Sequence, residues 1–448
     1  MNKRFFTNSF WIIGGTIIKA IIGLIMSIFT ARYLGPSNYG IIGYITTIIT
    51  LVTAFATLGL SNILIKEYVR HKKLSGVITG TAVILQFCAS FISYIFILIF
   101  VYIFNVNDRV MNICALVQGG YHIFNCFDCL NYYYQSKFQS KVPVIISTIA
   151  YMIVQLFKIY LLITNKSVVW FSFAVCLEPL SIGLLLILTY LLKKGPRLKF
   201  SSKVAKYLVK NSSPFILSGM ISVLYATIDK IMLKEMFSST EFVGIYNVAY
   251  NLSHSWVFLL SALISAFSPI IYEAYNKKDD SVSNLRSKQL YFIIFYTSFI
   301  VGILFSIVVP FAIPIMYTDA YVKSIVPSIL LIFSIPFAYV GVARIIQITS
   351  ENLQKYTIVF SILTVIINFI LNFIFIPLLG VSGAALGTLL SEIFVCVIVP
   401  LFFKKTRHIG KNIIESLILK GVELKNIIKT LVASIKKGNK KNEKREEK

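Results

Sequence analysis

Apolar runs of about twenty residues recur from Phe10 to Phe403, and Lys and Arg crowd into every second gap between them. A bilayer core takes about 20 apolar residues per helix. Hydrocarbon offers the backbone no water, so each such run must satisfy its own peptide groups as a helix. The pattern therefore predicts an all-α polytopic membrane protein and excludes an ordinary soluble domain.

About twelve spans are predicted, at roughly 10–31, 39–60, 77–104, 110–131, 144–163, 168–192, 213–236, 242–271, 290–316, 325–349, 358–377 and 384–403. The even-numbered gaps hold most of the cation. The second carries Lys66, Arg70, Lys72 and Lys73, and the fourth Lys137 and Lys141. The sixth runs from Lys193 to Lys210 with seven basic residues: Lys193, Lys194, Arg197, Lys199, Lys203, Lys206 and Lys210. The eighth carries Lys277, Lys278, Arg286 and Lys288, and the tenth Lys355. The odd gaps hold little beyond Arg32, Arg109, Lys166, Lys234 and Lys323. Positive charge stays cytoplasmic, so both termini are expected there. The net charge of +25 is placed by this rule at the cytoplasmic loops and tail, where anionic lipid is the expected partner and nucleic acid is not. The first apolar run lacks a small-residue cleavage site and is expected to stay as a span.

The basic sixth gap divides the spans six and six. This predicts an N-terminal lobe at 1–200, a C-terminal lobe at 201–405, and at 406–448 a basic amphipathic helix with a disordered end, the helix resting on the inner leaflet. A shift of 204 carries Asn8–Gly15 onto Ser212–Gly219 and Gly40-Ile41 onto Gly244-Ile245. Leu177-Glu178 resembles Ser391-Glu392 at a slightly larger shift. Duplicated halves around a cavity are the plan of alternating-access transporters.

Charge inside hydrocarbon is costly, so each intramembrane ionisable residue is a functional candidate. Lys19, Lys158, Lys230 and Arg344 are candidates for a cationic cavity that would hold an anionic substrate, Lys as a point charge and Arg bidentately. Glu178, Asp229 and Glu392 are candidates for ion coupling, and structural ion pairing is the competing reading. Gln155, Asn368 and Asn372 suggest a wet interior, as do Gln118 and Asn125. Asp128 lies near a helix end, within reach of the interface. His122, Cys126, Asp128 and Cys129 outline a metal cluster only superficially. All six cysteines fall inside predicted spans, read here as small apolar packing. No phosphate-binding loop, GxSxG elbow or HExxH motif occurs, so neither an ATP motor nor a hydrolase is expected, and no cofactor beyond an H+ or Na+ gradient.

Three segments carry a family resemblance. Arg32-Tyr33-Leu34-Gly35-Pro36-Ser37-Asn38-Tyr39-Gly40 resembles the RxLGPxxYG turn of Wzx-type polysaccharide flippases, in the MATE-like superfamily. Ile228-Asp229-Lys230 with Val243-Gly244-Ile245-Tyr246 resembles that family's D[RK]…vGxY segment. Asn368–Gly383 with Ala384-Ala385 resembles its NxxLNxxxIPxxGxxGAA segment. The resemblance implies a bilobed twelve-helix bundle. It implies a bacterial cytoplasmic (inner) membrane protein that flips undecaprenyl-diphosphate-linked repeat units for O-antigen, capsule or exopolysaccharide. Polysaccharide polymerase and chain-length proteins are then possible partners. Drug exporters of the superfamily usually carry an acid in the first helix. Here that helix carries Lys19. A membrane polymerase or ligase, a non-transporting scaffold and a small-molecule exporter are the alternatives. The first usually has a large external loop, which this chain lacks.

Overall fold

The computed structural model describes residues 3–276 and 280–418. Among these residues every regular element is helical. The helices are α1 Lys3–Ala56, α2 Ser61–Arg70, α3 Ser75–Phe104, α4 Arg109–Gln118, α5 Tyr121–Asn125, α6 Cys129–Ser136, α7 Lys141–Ile163 and α8 Val168–Leu192. After the basic linker come α9 Ser202–Phe237, α10 Glu241–His254, α11 Phe258–Asn276, α12 Asp280–Tyr317, α13 Ile325–Ser350, α14 Lys355–Leu379, α15 Val381–Ile393, α16 Val399–Phe402 and α17 Arg407–Leu417.

Ten helical segments among the described residues are long and apolar enough to cross a membrane. The number differs from the expected twelve for two local reasons. The first segment, Gly14–Ala56, is 43 residues long, about twice a bilayer core at 1.5 Å per residue. It covers the first two expected spans. Inside it Gly35 has φ 69° and ψ 171°, and Pro36 follows. Glycine reaches that left-handed φ without a Cβ clash, and proline suits the first turn of the next helix. The fourth expected span is broken into α4, α5, a 3-10 turn at Cys126–Asp128, and α6. The eighth is interrupted between His254 and Phe258.

The chain divides into two compact units. One comprises Met1–Leu252, Pro310–Pro327 and Asn372–Ala384, and the other Ser253–Val309, Ser328–Leu371 and Ala385–Lys448.

In the first unit, α1 packs against α3, α7 and α9. Its core includes Leu60, Leu64, Tyr133 and Tyr190. The basic linker is strapped along α3: Tyr190 donates to Pro196 O at 2.5 Å, and Ser201 N–H to Thr81 Oγ1 at 3.1 Å. Where α1 resumes after Gly35 it meets the start of α10 symmetrically. A Cβ on Gly40 would lie 1.8 Å from Thr240 O, and one on Gly244 2.0 Å from Pro36 O. Pro36 and Thr240, like Gly40 and Gly244, stand 204 apart (240 − 36 and 244 − 40), so the shift seen in sequence returns as a two-fold contact.

In the second unit, Leu290, Tyr291, Ile294, Val340 and Ile348 form a fully enclosed core. Ile409 and Ile413 of α17 belong to it. The tail helix from Arg407 to Leu417 is thus docked on protein rather than laid on a leaflet. The rest of the expected amphipathic segment lies outside the described residues.

Candidate functional site

The first unit contains a cleft between α1, α7 and α8. On α1, Gly15, Lys19, Gly23, Ser27 and Thr30 recur at three- and four-residue spacing and line it. On α7, Val144, Ser147, Tyr151, Gln155 and Lys158 do the same, and Phe171, Val175, Ile182 and Leu186 line it from α8. Glycine lets the helices approach closely. A Cβ on Gly15 would lie 2.7 Å from Val144 Cγ1, and one on Gly23 2.6 Å from the Tyr151 hydroxyl.

Two cavities lie along this cleft. The first, about 280 Å³, contains Lys19, Asn125, Asp128, Asn131, Gln135 and Ser147. Lys19 donates to Ser147 Oγ at 2.7 Å. Gln135 Nε2 donates to Asn131 Oδ1 at 3.0 Å, and Asn131 Nδ2 to Asp128 Oδ1 at 3.3 Å. The second, about 170 Å³, is lined by Ser27, Thr30, Tyr39, Tyr151, Gln155, Lys158 and Phe171. Lys158 is its one charged lining residue among the described residues. Gln155 is buried, and its Oε1 has no partner among the described residues. Glu178 sits in register on α8 between Val175 of the second cavity and Ile182 of the first. It interacts electrostatically with both Lys158 and Lys19, yet no ion pair within 4 Å joins them among the described residues.

The remaining candidates lie elsewhere. Asp229 on α9, 7% exposed, accepts from the Tyr246 hydroxyl and from Asn372 Nδ2, each at 2.5 Å. Lys230, next in sequence, lies 4.8 Å from the Tyr250 ring centroid, a cation–π distance. In the second unit Asn368 is fully buried and donates to Thr388 Oγ1 at 3.4 Å. Arg344 is buried there, with its guanidinium 4.4 Å from the Phe360 ring centroid. It donates to Val395 O at 2.8 Å and Cys396 O at 3.4 Å. Those carbonyls belong to a π-helical turn, Phe394–Ile398, just ahead of Pro400, which has no N–H to offer them. Glu392 is half-buried and within electrostatic reach of Arg344.

The structure thus brings Lys19, Lys158, Glu178 and Gln155 to one cleft, and Asp229 and Asn372 to one hydrogen-bonded cluster. Lys230, Asn368, Arg344 and Glu392 line neither cavity of the cleft. The cysteine and histidine candidates take separate partners: His122 Nε2 bonds Ile49 O at 2.8 Å and Cys129 Sγ bonds Gln86 Oε1 at 2.7 Å. Asp128, read from the sequence as near a helix end within reach of the interface, lines a cavity. Asn131, Gln135 and Ser147 were missed. The signal for Asn131 and Gln135 is the polar series 125, 128, 131 and 135, spaced three or four residues apart.

A profile of the family described as "Polysaccharide biosynthesis protein" matches residues 5–275, more than half of the chain. No curated protein matches. Solved structures are similar in fold over nearly their whole length. The lipid II flippase MurJ in an inward closed conformation is 15% identical, with TM-score 0.70 and coverage of 90% of each chain. An inward-facing multidrug resistance MATE family transporter of the MOP superfamily is 13% identical, with TM-score 0.67, covering 90% of this chain and 96% of that one. The MATE multidrug transporter DinF-BH is 18% identical, with TM-score 0.60 and coverage of 91% and 97%.

Proposed function

We propose that this chain, which belongs to the polysaccharide biosynthesis protein family, flips undecaprenyl-diphosphate-linked oligosaccharide repeat units across the bacterial cytoplasmic membrane. It is a multi-pass membrane protein whose fold is shared with a lipid II flippase and with drug transporters. The single observation that carries the reading is the second cavity. Lys158 faces it with no carboxylate among the lining residues, flanked by Gln155, two tyrosines and Phe171. A lysine ammonium in a low-dielectric recess attracts phosphate strongly. Aromatic and amide groups beside it suit a sugar. Transport rather than catalysis follows from the neighbours, which are a flippase and transporters.

The assembled units would feed O-antigen, capsule or exopolysaccharide, with a polymerase and chain-length proteins downstream and both termini in the cytoplasm. Alternating access coupled to H+ or Na+ would drive the cycle. Glu178 between the two lysines and Asp229 in its donor cluster are the favoured carboxylates for coupling, ahead of Glu392. Anionic lipid would meet the basic loops.

Deleting the gene tests this. Lipid-linked units are expected to accumulate on the cytoplasmic leaflet while surface polysaccharide disappears. Wild type restores both, and Lys158→Ala and Lys19→Ala at equal expression do not. Units that reach the outer leaflet unpolymerised would sink the flippase reading in favour of a polymerase. Unchanged surface sugar would leave a small-molecule exporter.

A further inference from the structure

We infer that the cavity around Lys19 is a sugar-reading subsite, in which Asp128, Asn131 and Gln135 select an uncharged, polyhydroxylated ring. The inference rests on the proposed transport of a lipid-linked glycan and assigns its parts to separate places in one cleft.

Charge argues for the division. In the first cavity Lys19 has two carboxylates within electrostatic reach, Glu178 and then Asp128, and Asp128 lines the cavity beside it. A diphosphate brought there would meet a carboxylate as well as an ammonium, and the gain would largely cancel. Lys158 has one carboxylate within electrostatic reach, Glu178, and that group does not line its cavity. The anionic group therefore belongs at Lys158 and a neutral group at Lys19.

Hydrogen-bonding capacity says which neutral group. The bonds from Gln135 to Asn131 and from Asn131 to Asp128 hold both amides in one orientation. Gln135 Oε1 and the Asn125 amide have no protein partner among the described residues, and both residues line the cavity. The result is a pre-oriented mixture of donors and acceptors, which a set of ring hydroxyls matches and a hydrocarbon does not. The lining also includes apolar Pro143, Val144, Ile182 and Leu186, which suit the C–H face of a pyranose. At about 280 Å³ the space takes one small ligand group rather than a whole repeat unit. A site built to bond hydroxyls disfavours ligands lacking them, because its half-buried polar groups are then left unpaired.

The test uses full-length protein in lipid nanodiscs and two probes. One is bare undecaprenyl diphosphate, and the other is the glycan-bearing lipid extracted from the deletion strain. Wild type is expected to bind the glycan-bearing lipid at least about tenfold more tightly, the value of one good discriminating contact. In Asn131→Leu and Asp128→Asn that ratio falls toward one. Gln135→Ala, at a partly exposed position, gives the same direction should either variant fail to fold. In Lys158→Ala both affinities fall together. A ratio that survives in all folded cavity variants would overturn the subsite, as would a wild type that binds both probes equally. A wild type that binds neither probe overturns the transport reading itself, and the subsite with it.

Discussion

Arg344 was a candidate because a guanidinium in a span is expensive unless used, and its surroundings show one use. Its Nη1 donates to two carbonyls of the π-helical turn, one of which, Cys396 O, is four residues ahead of Pro400 and loses the helical donor that proline lacks. Removing Arg344 takes a donor from both in the core of the second unit. Each buried unsatisfied group costs about 1–3 kcal/mol. Arg344→Ala is expected to lower thermal stability in detergent by several degrees, and Pro400→Ala on that background to recover part of the loss. No recovery would refute this account. Glu351 is a second such case, outside the spans. Burial pushes its carboxyl up, but bonds from His408, Gln347 and Tyr275 outweigh this and hold it below the usual carboxylate range. A depressed folded value means a stabilising contribution present above the ordinary carboxylate range, lost as pH falls through the folded value. Melting temperature from pH 7 to pH 3 is therefore expected to fall more steeply in wild type than in Glu351→Gln. Parallel curves would contradict it.

At the scale of elements, small residues decide where helices meet. A side chain on Gly244 would run into Pro36 O, a backbone atom that cannot swing aside. Gly244→Val is expected to abolish folded protein. Gly341→Ala, whose Cβ meets nothing within 4 Å, should be neutral or slightly stabilising, since alanine is the better helix former. Fluorescence-detected size exclusion of tagged protein would compare them. Much of this was legible: Gly40 and Gly244 stood out as equivalent under the 204-residue shift. Their mutual contact was not, because a repeat in sequence carries no statement of which copies touch. The break in α1 was legible too, from Gly35-Pro36. The fragmentation of 109–136 was not. Its apolar content reads as one span, and packing against α3 and α8 supports shorter turns instead.

Across the whole molecule, the tail gives the clearest contrast. Ile409 and Ile413 are fully enclosed in the second unit, and Tyr296 donates to Leu417 O at 2.8 Å. Lys288 also pairs with Glu415. Ile413→Asp should therefore destabilise the protein in detergent, with no membrane present. A helix held only by lipid would lose nothing in that experiment, so an unchanged melting temperature would restore the leaflet reading. Within the first unit, the cleft draws Lys19, Asp128, Lys158 and Glu178 together from more than 150 residues of chain (178 − 19).

Hydropathy and charge act locally along a chain, and one residue's preference for lipid or water is felt wherever it stands. That is why the sequence alone determined the all-helical, membrane-spanning class, and singled out Lys19, Lys158 and Glu178 as charges in need of a reason. Which charges share a cavity depends on helix rotation and on glycines that set interhelical distance, quantities fixed only when remote segments pack. Only the tertiary structure placed Lys158 and Lys19 in one cleft, both within electrostatic reach of Glu178, put Asp128 on the wall of the Lys19 cavity, and set Arg344 apart, bound to carbonyls.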